Sequence, residues 1–197
     1  MLFRSEDPEY GWYQPLIRAA IDSVERDPTI EVVVLVGAVR ALYQLPSESS
    51  FELLPSSNSG DVVKDGLNTV VDRLVTNGKK VILYVDNPPL SRPEDCLQRR
   101  TRLGFLEDLV QNEVSNCVIA RSVFDAQTAG YLQDLNDVVD AYPGQAFIFD
   151  PNDVYFDQLG YARHITDGVM MFSFTDHPSD AAAEIIGQRL NLYISRQ

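Results

Sequence analysis

Three short runs in this chain have centres without a polar residue: IEVVVLV at 30–36, KKVILYVD at 79–86 and QAFIFD at 145–150. Successive side chains of a strand point to opposite faces, so a strand with no polar alternation must be covered on both faces. That condition is met by a parallel sheet clothed in helices, and the segments between the runs supply them. Residues 13–26, YQPLIRAAIDSVER, place Leu16, Ile17, Ala20, Ile21 and Val24 on one helical face. DVVKDGLNTVVDRLVTNG repeats the spacing with Val63, Leu67, Val70, Val71 and Leu74, and Asn77-Gly78 marks its end. A third helix is predicted within SVFDAQTAGYLQDLNDVVDAYPG, facing inward with Phe124, Tyr131, Leu132, Leu135, Val138 and Val139. The last helix is predicted to open at Pro178 as its first residue, with Asp180 in the first turn and Ala181, Ile185, Ile186 and Leu190 facing inward. A short helical piece, VRALYQL, and a Ser-rich loop at 46–61 complete the first half, while 97–121 shows no clear pattern.

The order helix, strand, helix, strand, helix, strand, helix predicts an α/β fold with a parallel sheet. Folds of this kind usually begin with a strand, and three strands are few for so many helices. The expectation is therefore a single domain over 1–197 that is incomplete at its front, at least one strand short.

Composition excludes several functions. The 197 residues carry a formal net charge of -13 and a pI near 4.4. Nucleic acid or an anionic membrane surface would need clustered Lys and Arg, so neither is expected as a partner. No run approaches the roughly 20 apolar residues of a membrane-spanning helix, and the first dozen residues lack a signal-peptide core; the chain is expected to be soluble. Cys96 and Cys117 are the only cysteines. A bridge between them would contribute on the order of 3 kcal/mol in an oxidising compartment, but the expectation is two separate, partly buried thiols.

In open parallel sheets, sites lie at the carboxyl ends of the strands. Gly37, Asn87 and Asp150 fall there and form the expected rim, and FTDHPSD leads Asp176 and His177 towards the last helix. A histidine held before a helix suits a general base, since imidazole is the side chain most often used to take and return a proton. The competing reading is a histidine that caps its helix in solvent. His164, His177, Asp150, Asp153 and Asp157 lack the spacing of metal ligands, so no metal is expected, and no strand ends in a glycine-rich phosphate loop.

Several blocks in order, VVVLVGAVRALY, KKVILYVDNPPLSRPEDCLQRR, FDAQTAGYLQDLNDVVDAYPGQAFIFDP and DGVMMFSFTDHPSDAAA, resemble the SGNH (GDSL-like) hydrolase domain. The similarity is closest to the type fused behind membrane acyltransferases that O-acetylate bacterial surface glycans. The resemblance implies a three-layer, flavodoxin-like α/β sandwich, a serine nucleophile on a Gly-Asp-Ser strand at the front, a histidine base at His177 and no cofactor. It also implies a surface-glycan acceptor, an acyl donor supplied through an upstream membrane part, and a location on the periplasmic face of the inner membrane.

Two departures stand out. Gly-Asp-Ser occurs nowhere: SGDVV at 59–63 has valine in place of the serine, and Ser49, Ser50, Ser56, Ser57 and Ser59 lie in a loop without a strand-to-helix elbow. Phe174 stands at the position of the family's orienting aspartate, and a phenyl ring accepts no hydrogen bond from imidazole. Arg40 stands for a family tryptophan and Pro178 for a leucine. Whether the chain is itself an enzyme is left open. The first reading is a partial acyltransferase domain whose serine lies upstream of Met1. Behind it come a non-catalytic glycan-binding or regulatory module and a free-standing esterase with a rearranged Asp176–His177 dyad.

Overall fold

The all-apolar runs form a parallel sheet. In a computed structural model that describes residues 13–37, 59–90, 93, 96, 117–173 and 177–197, the chain divides into two compact units. Unit 1 draws on residues 13–37, 59–86 and 129–149, and unit 2 on 87–90, 93, 96, 117–128, 150–173 and 177–197.

Unit 1 contains α1 (Tyr13–Arg26), β1 (Val32–Val36), α2 (Ser59–Thr76), β2 (Lys80–Tyr84), most of α3 (Arg121–Asp140) and β4 (Ala146–Phe149). The strands run parallel in the order β1-β2-β4, with Val36 opposite Tyr84 and Tyr84 opposite Phe149. This is the α/β class with a parallel three-stranded sheet that the sequence predicts. Val33, Leu35, Val81, Leu83, Val85, Ala146 and Ile148 share one face by the two-residue period, and all belong to one apolar cluster. Onto it pack Ile21 and Val24 of α1, Val70, Val71 and Leu74 of α2, and Tyr131, Leu135 and Val138 of α3.

Polar contacts set the spacing of these elements. The Lys79 ammonium, in a buried side chain, donates to the carbonyls of Asp27 at 2.5 Å and Ile30 at 2.9 Å, pinning the α1–β1 turn beside the start of β2. Arg73 of α2 pairs with Asp22 and Glu25 of α1, each at 2.7 Å. The turn after α2 carries Gly78 at φ 77°, where the stop signal was read.

Unit 2 contains β3 (Val118–Ala120), the first turns of α3, a 3₁₀ turn (Asn152–Val154), β5 (Tyr161–Arg163), β6 (Ile165–Thr166), β7 (Val169–Met170) and α4 (Asp180–Ile194). β3 and β5 pair antiparallel, as do β6 and β7. The disulfide Cys96–Cys117 lies within this unit.

Several expectations are corrected. The cysteines are bridged, with their Cα atoms 5.5 Å apart, because the fold brings the residue before β3 beside position 96. α2 starts at Ser59, inside the segment read as a loop up to 61. Leu16 is 57% exposed, so it does not share the inward face of Ile17, Ile21 and Val24. In α4 the buried residues are Ala182 and Ile186, while Ala181 and Ile185 face outward. That helix begins at Asp180, not Pro178, because the Ser179 hydroxyl accepts the Ala182 N–H and makes Ser179 the N-cap. The helical piece VRALYQL, the loop residues 46–58, and Arg40, Phe174 and Asp176 lie outside the described residues.

Candidate active site

Parallel strands end on the same side of their sheet. Here the register aligns Val36, Tyr84 and Phe149, so Gly37, Val85 and Asp150 are the residues that leave the three strands. The Val85 N–H donates to the Phe149 carbonyl at 3.0 Å, extending the ladder one step beyond the paired strands. Gly37 belongs to unit 1; Asn87, Asp150 and His177 belong to unit 2. The rim read from the sequence is thus divided between the two units.

Within unit 1, Gly37 lines a half-open cavity of about 360 Å³ at the carboxyl halves of β1 and β2. Its walls are apolar, with Ile21 of α1, Val34 and Val36 of β1, and Leu67 of α2 among them. Val36 is 70% exposed there, although its run reads as a strand covered on both faces. Among the described residues β1 has a strand partner on one edge only.

The chemistry-bearing residues sit in unit 2. The Asp150 carboxylate accepts the Asn152 N–H at 2.9 Å, a local turn that starts the 3₁₀ segment. Asn87 is buried, with its amide nitrogen 3.5 Å from the Pro88 carbonyl. His177 is exposed, on a main chain fixed from three directions. Its carbonyl accepts the Ser173 N–H at 2.9 Å, Phe172 forms a bridge with Pro178, and the Ser179 N–H donates to the Met171 carbonyl at 2.9 Å. The Ser179 hydroxyl also donates to the Met170 carbonyl at 2.5 Å. Contacts between residues 170–173 and 177–179 therefore fix the main chain of His177 just ahead of α4. Such a support is what a positioned base requires.

Ser173 is four residues from His177, close enough to raise the question of a substitute nucleophile. Its hydroxyl lies 3.4 Å from the His177 carbonyl and 3.2 Å from the Pro178 carbonyl, donating to main chain. An activated nucleophile would instead give its proton to a base. Neither Ser173 nor Ser179 stands out in the sequence by a catalytic motif; for Ser179 the signal is a serine three residues ahead of Ala182, at the start of an apolar helical run.

His164, the other histidine, is 3% exposed and sits in an aromatic cluster. Its ring meets Phe172 edge-on at 5.8 Å, and Phe172 stacks on Tyr155 at 4.9 Å. Asp157 and Asp153 are also engaged. Asp157 accepts the N–H groups of Tyr161 and Leu159 and faces Arg163 at 3.4 Å; these contacts, the Tyr161 bond foremost, hold its carboxyl below the usual carboxylate range. Asp153 pairs with Arg189 of α4 at 2.7 Å. Among the described residues no three His, Cys, Asp or Glu side chains gather in a metal-binding group.

A search against family profiles matches residues 2–191 to the SGNH domain that is fused to AT3 domains. The match runs through both units. No curated protein and no solved structure matches the chain.

Proposed function

The chain belongs to the SGNH domain family fused to AT3 domains, and from that premise we propose that it is the extracytoplasmic part of a membrane acyltransferase that O-acetylates a cell-surface glycan. In this reading His177 is the general base. The serine that carries the acyl group enters on a strand upstream of Met1. The acyl donor comes through the membrane part and the acceptor is a glycan hydroxyl.

The observation that carries the reading is the mounting of His177, an exposed residue whose main chain is tied through Ser173, Phe172–Pro178 and Ser179. The edge position of β1, with Val36 exposed beside an apolar cavity, supports a further apolar strand beside it. The Cys96–Cys117 bridge supports a periplasmic location, because such bridges persist in oxidising compartments.

A second reading is a glycan-binding or regulatory module without catalysis. It is favoured by the lack of Gly-Asp-Ser and by Phe174 at the family's aspartate position. Extending the chain upstream in its own reading frame separates the two. Ester hydrolysis that appears with the extension and disappears on His177→Ala supports the enzyme; glycan binding without hydrolysis in the extended chain supports the module.

A further inference from the structure

The position of the disulfide ties it to the segment that carries His177. Cys117 immediately precedes β3, so its bond to Cys96 fixes where that strand starts. β3 is three residues long and pairs with β5 as Val118↔Arg163, Ile119↔Ala162 and Ala120↔Tyr161. So short a ladder does not hold itself together in water. Its far end is secured by the Arg121 N–H donating to the Gly160 carbonyl at 2.8 Å and by the Arg121 guanidinium 4.9 Å from the Phe156 ring centre. At the near end the covalent anchor is the disulfide.

From β5 the connection continues without a gap. Arg163 is followed by His164, whose carbonyl accepts the Met171 N–H at 2.7 Å. Phe172, next along, bridges Pro178, and the Ser173 N–H donates to the His177 carbonyl at 2.9 Å. Every link from Cys117 to His177 is covalent or hydrogen-bonded, and all lie in unit 2. We propose that the Cys96–Cys117 disulfide is a redox latch: oxidised, it sets the β3–β5 ladder and with it the main-chain contacts that hold His177; reduced, it releases both.

Both cysteines are half-buried, so an attacking thiolate has access. The reductant is a dithiol. One of its thiolates attacks a bridge sulfur, the S–S bond breaks, and the other cysteine leaves as thiolate. The second thiol of the reductant then resolves the mixed disulfide and departs as a disulfide. Two electrons pass to Cys96 and Cys117, which take up protons near neutral pH because an ordinary thiol titrates at about 8.5. The inference concerns how His177 is held, and it stands whether or not His177 is a catalytic base.

The test uses the intact, isotope-labelled chain, oxidised and then treated with dithiothreitol, alongside the Cys96→Ser/Cys117→Ser variant. On reduction, amide exchange at Ile119 and Ala162, the hydrogen-bonded pair of the ladder, is expected to rise about ten-fold or more, while Ile82, Leu83 and Phe147 of unit 1 keep their protection. The His177 ring resonances are expected to shift in both the reduced chain and the variant. Unchanged exchange at Ile119 and Ala162, an unmoved His177 ring, or an equal rise in exchange across both units would each overturn the latch.

Discussion

Ser173 and His177 are joined main chain to main chain: the Ser173 N–H donates to the His177 carbonyl at 2.9 Å, and the Ser173 hydroxyl lies 3.4 Å from the same oxygen. The main chain of this exposed histidine is therefore held in place. Because the Ser173 hydroxyl is spent on carbonyls, Ser173→Ala is expected to cost at most about 1 kcal/mol, in line with weak, exposed hydrogen bonds. In the upstream-extended chain the same variant should retain esterase activity within about two-fold, a margin of roughly 0.4 kcal/mol. A loss as deep as that of His177→Ala would make Ser173 a nucleophile.

Ser179 has a different load. Its hydroxyl caps α4 through the Ala182 N–H at 3.1 Å and donates to the Met170 carbonyl. Ser179→Ala should cost about 1–2 kcal/mol. For a chain of this size that lowers the melting temperature by roughly 2–8 °C. Thermal unfolding checks it, and Ser179→Thr, which preserves a hydroxyl that can both accept and donate, should recover most of the loss.

The Asp157 turn predicts a pH dependence. Its folded pKa is lowered by the Tyr161 and Leu159 N–H groups and by Arg163. A group depressed on folding stabilises above its unfolded pKa, about 3.9 for aspartate, and the contribution is lost as pH falls through the folded value. Asp157→Ala should therefore melt below the parent at pH 7, and the gap should close as the pH falls through the lowered folded pKa. A gap that persists unchanged at low pH would mean the carboxylate charge is not what stabilises the turn.

Along β1, an apolar edge beside an apolar cavity invites association. Val36→Lys places a charge at a 70% exposed position. It should reduce light scattering at high protein concentration and shift the melting temperature by no more than about 2 °C, as expected for a surface substitution. Leu83→Ala, in the buried cluster, should cost about 2–5 kcal/mol by contrast.

Much of unit 1 was legible because its information is periodic. VVVLV, KVILY and AFIF have no polar alternation, and Val70, Val71, Leu74, Leu135 and Val138 repeat at helical spacing, so strands and inward faces followed. Unit 2 was harder to read, since strands of two or three residues such as Ile165–Thr166 and Val169–Met170 are too short to show a period. At helix ends two signals compete. Pro178 suggested a first residue, but Ser179 supplies the cap, and Leu16 and Ala181 lie where a shift of one position reverses the face. The disulfide depended on a tertiary approach that no spacing reveals. His177 was proposed from its motif; the Ser173 and Ser179 hydrogen bonds that hold its main chain join residues across the sequence in a way no local pattern shows.

The central claim is that this chain holds the base of an acyl-transfer site while its serine lies upstream. Incubating the chain with an activated acetyl ester and weighing the intact protein tests it most directly. The account predicts no acetyl-enzyme on this chain, because nucleophile, base and oxyanion donors act as a unit, and one acetyl group on the upstream-extended chain that is lost when the serine is replaced. A stable acetyl adduct on this chain alone, abolished by His177→Ala, would contradict it.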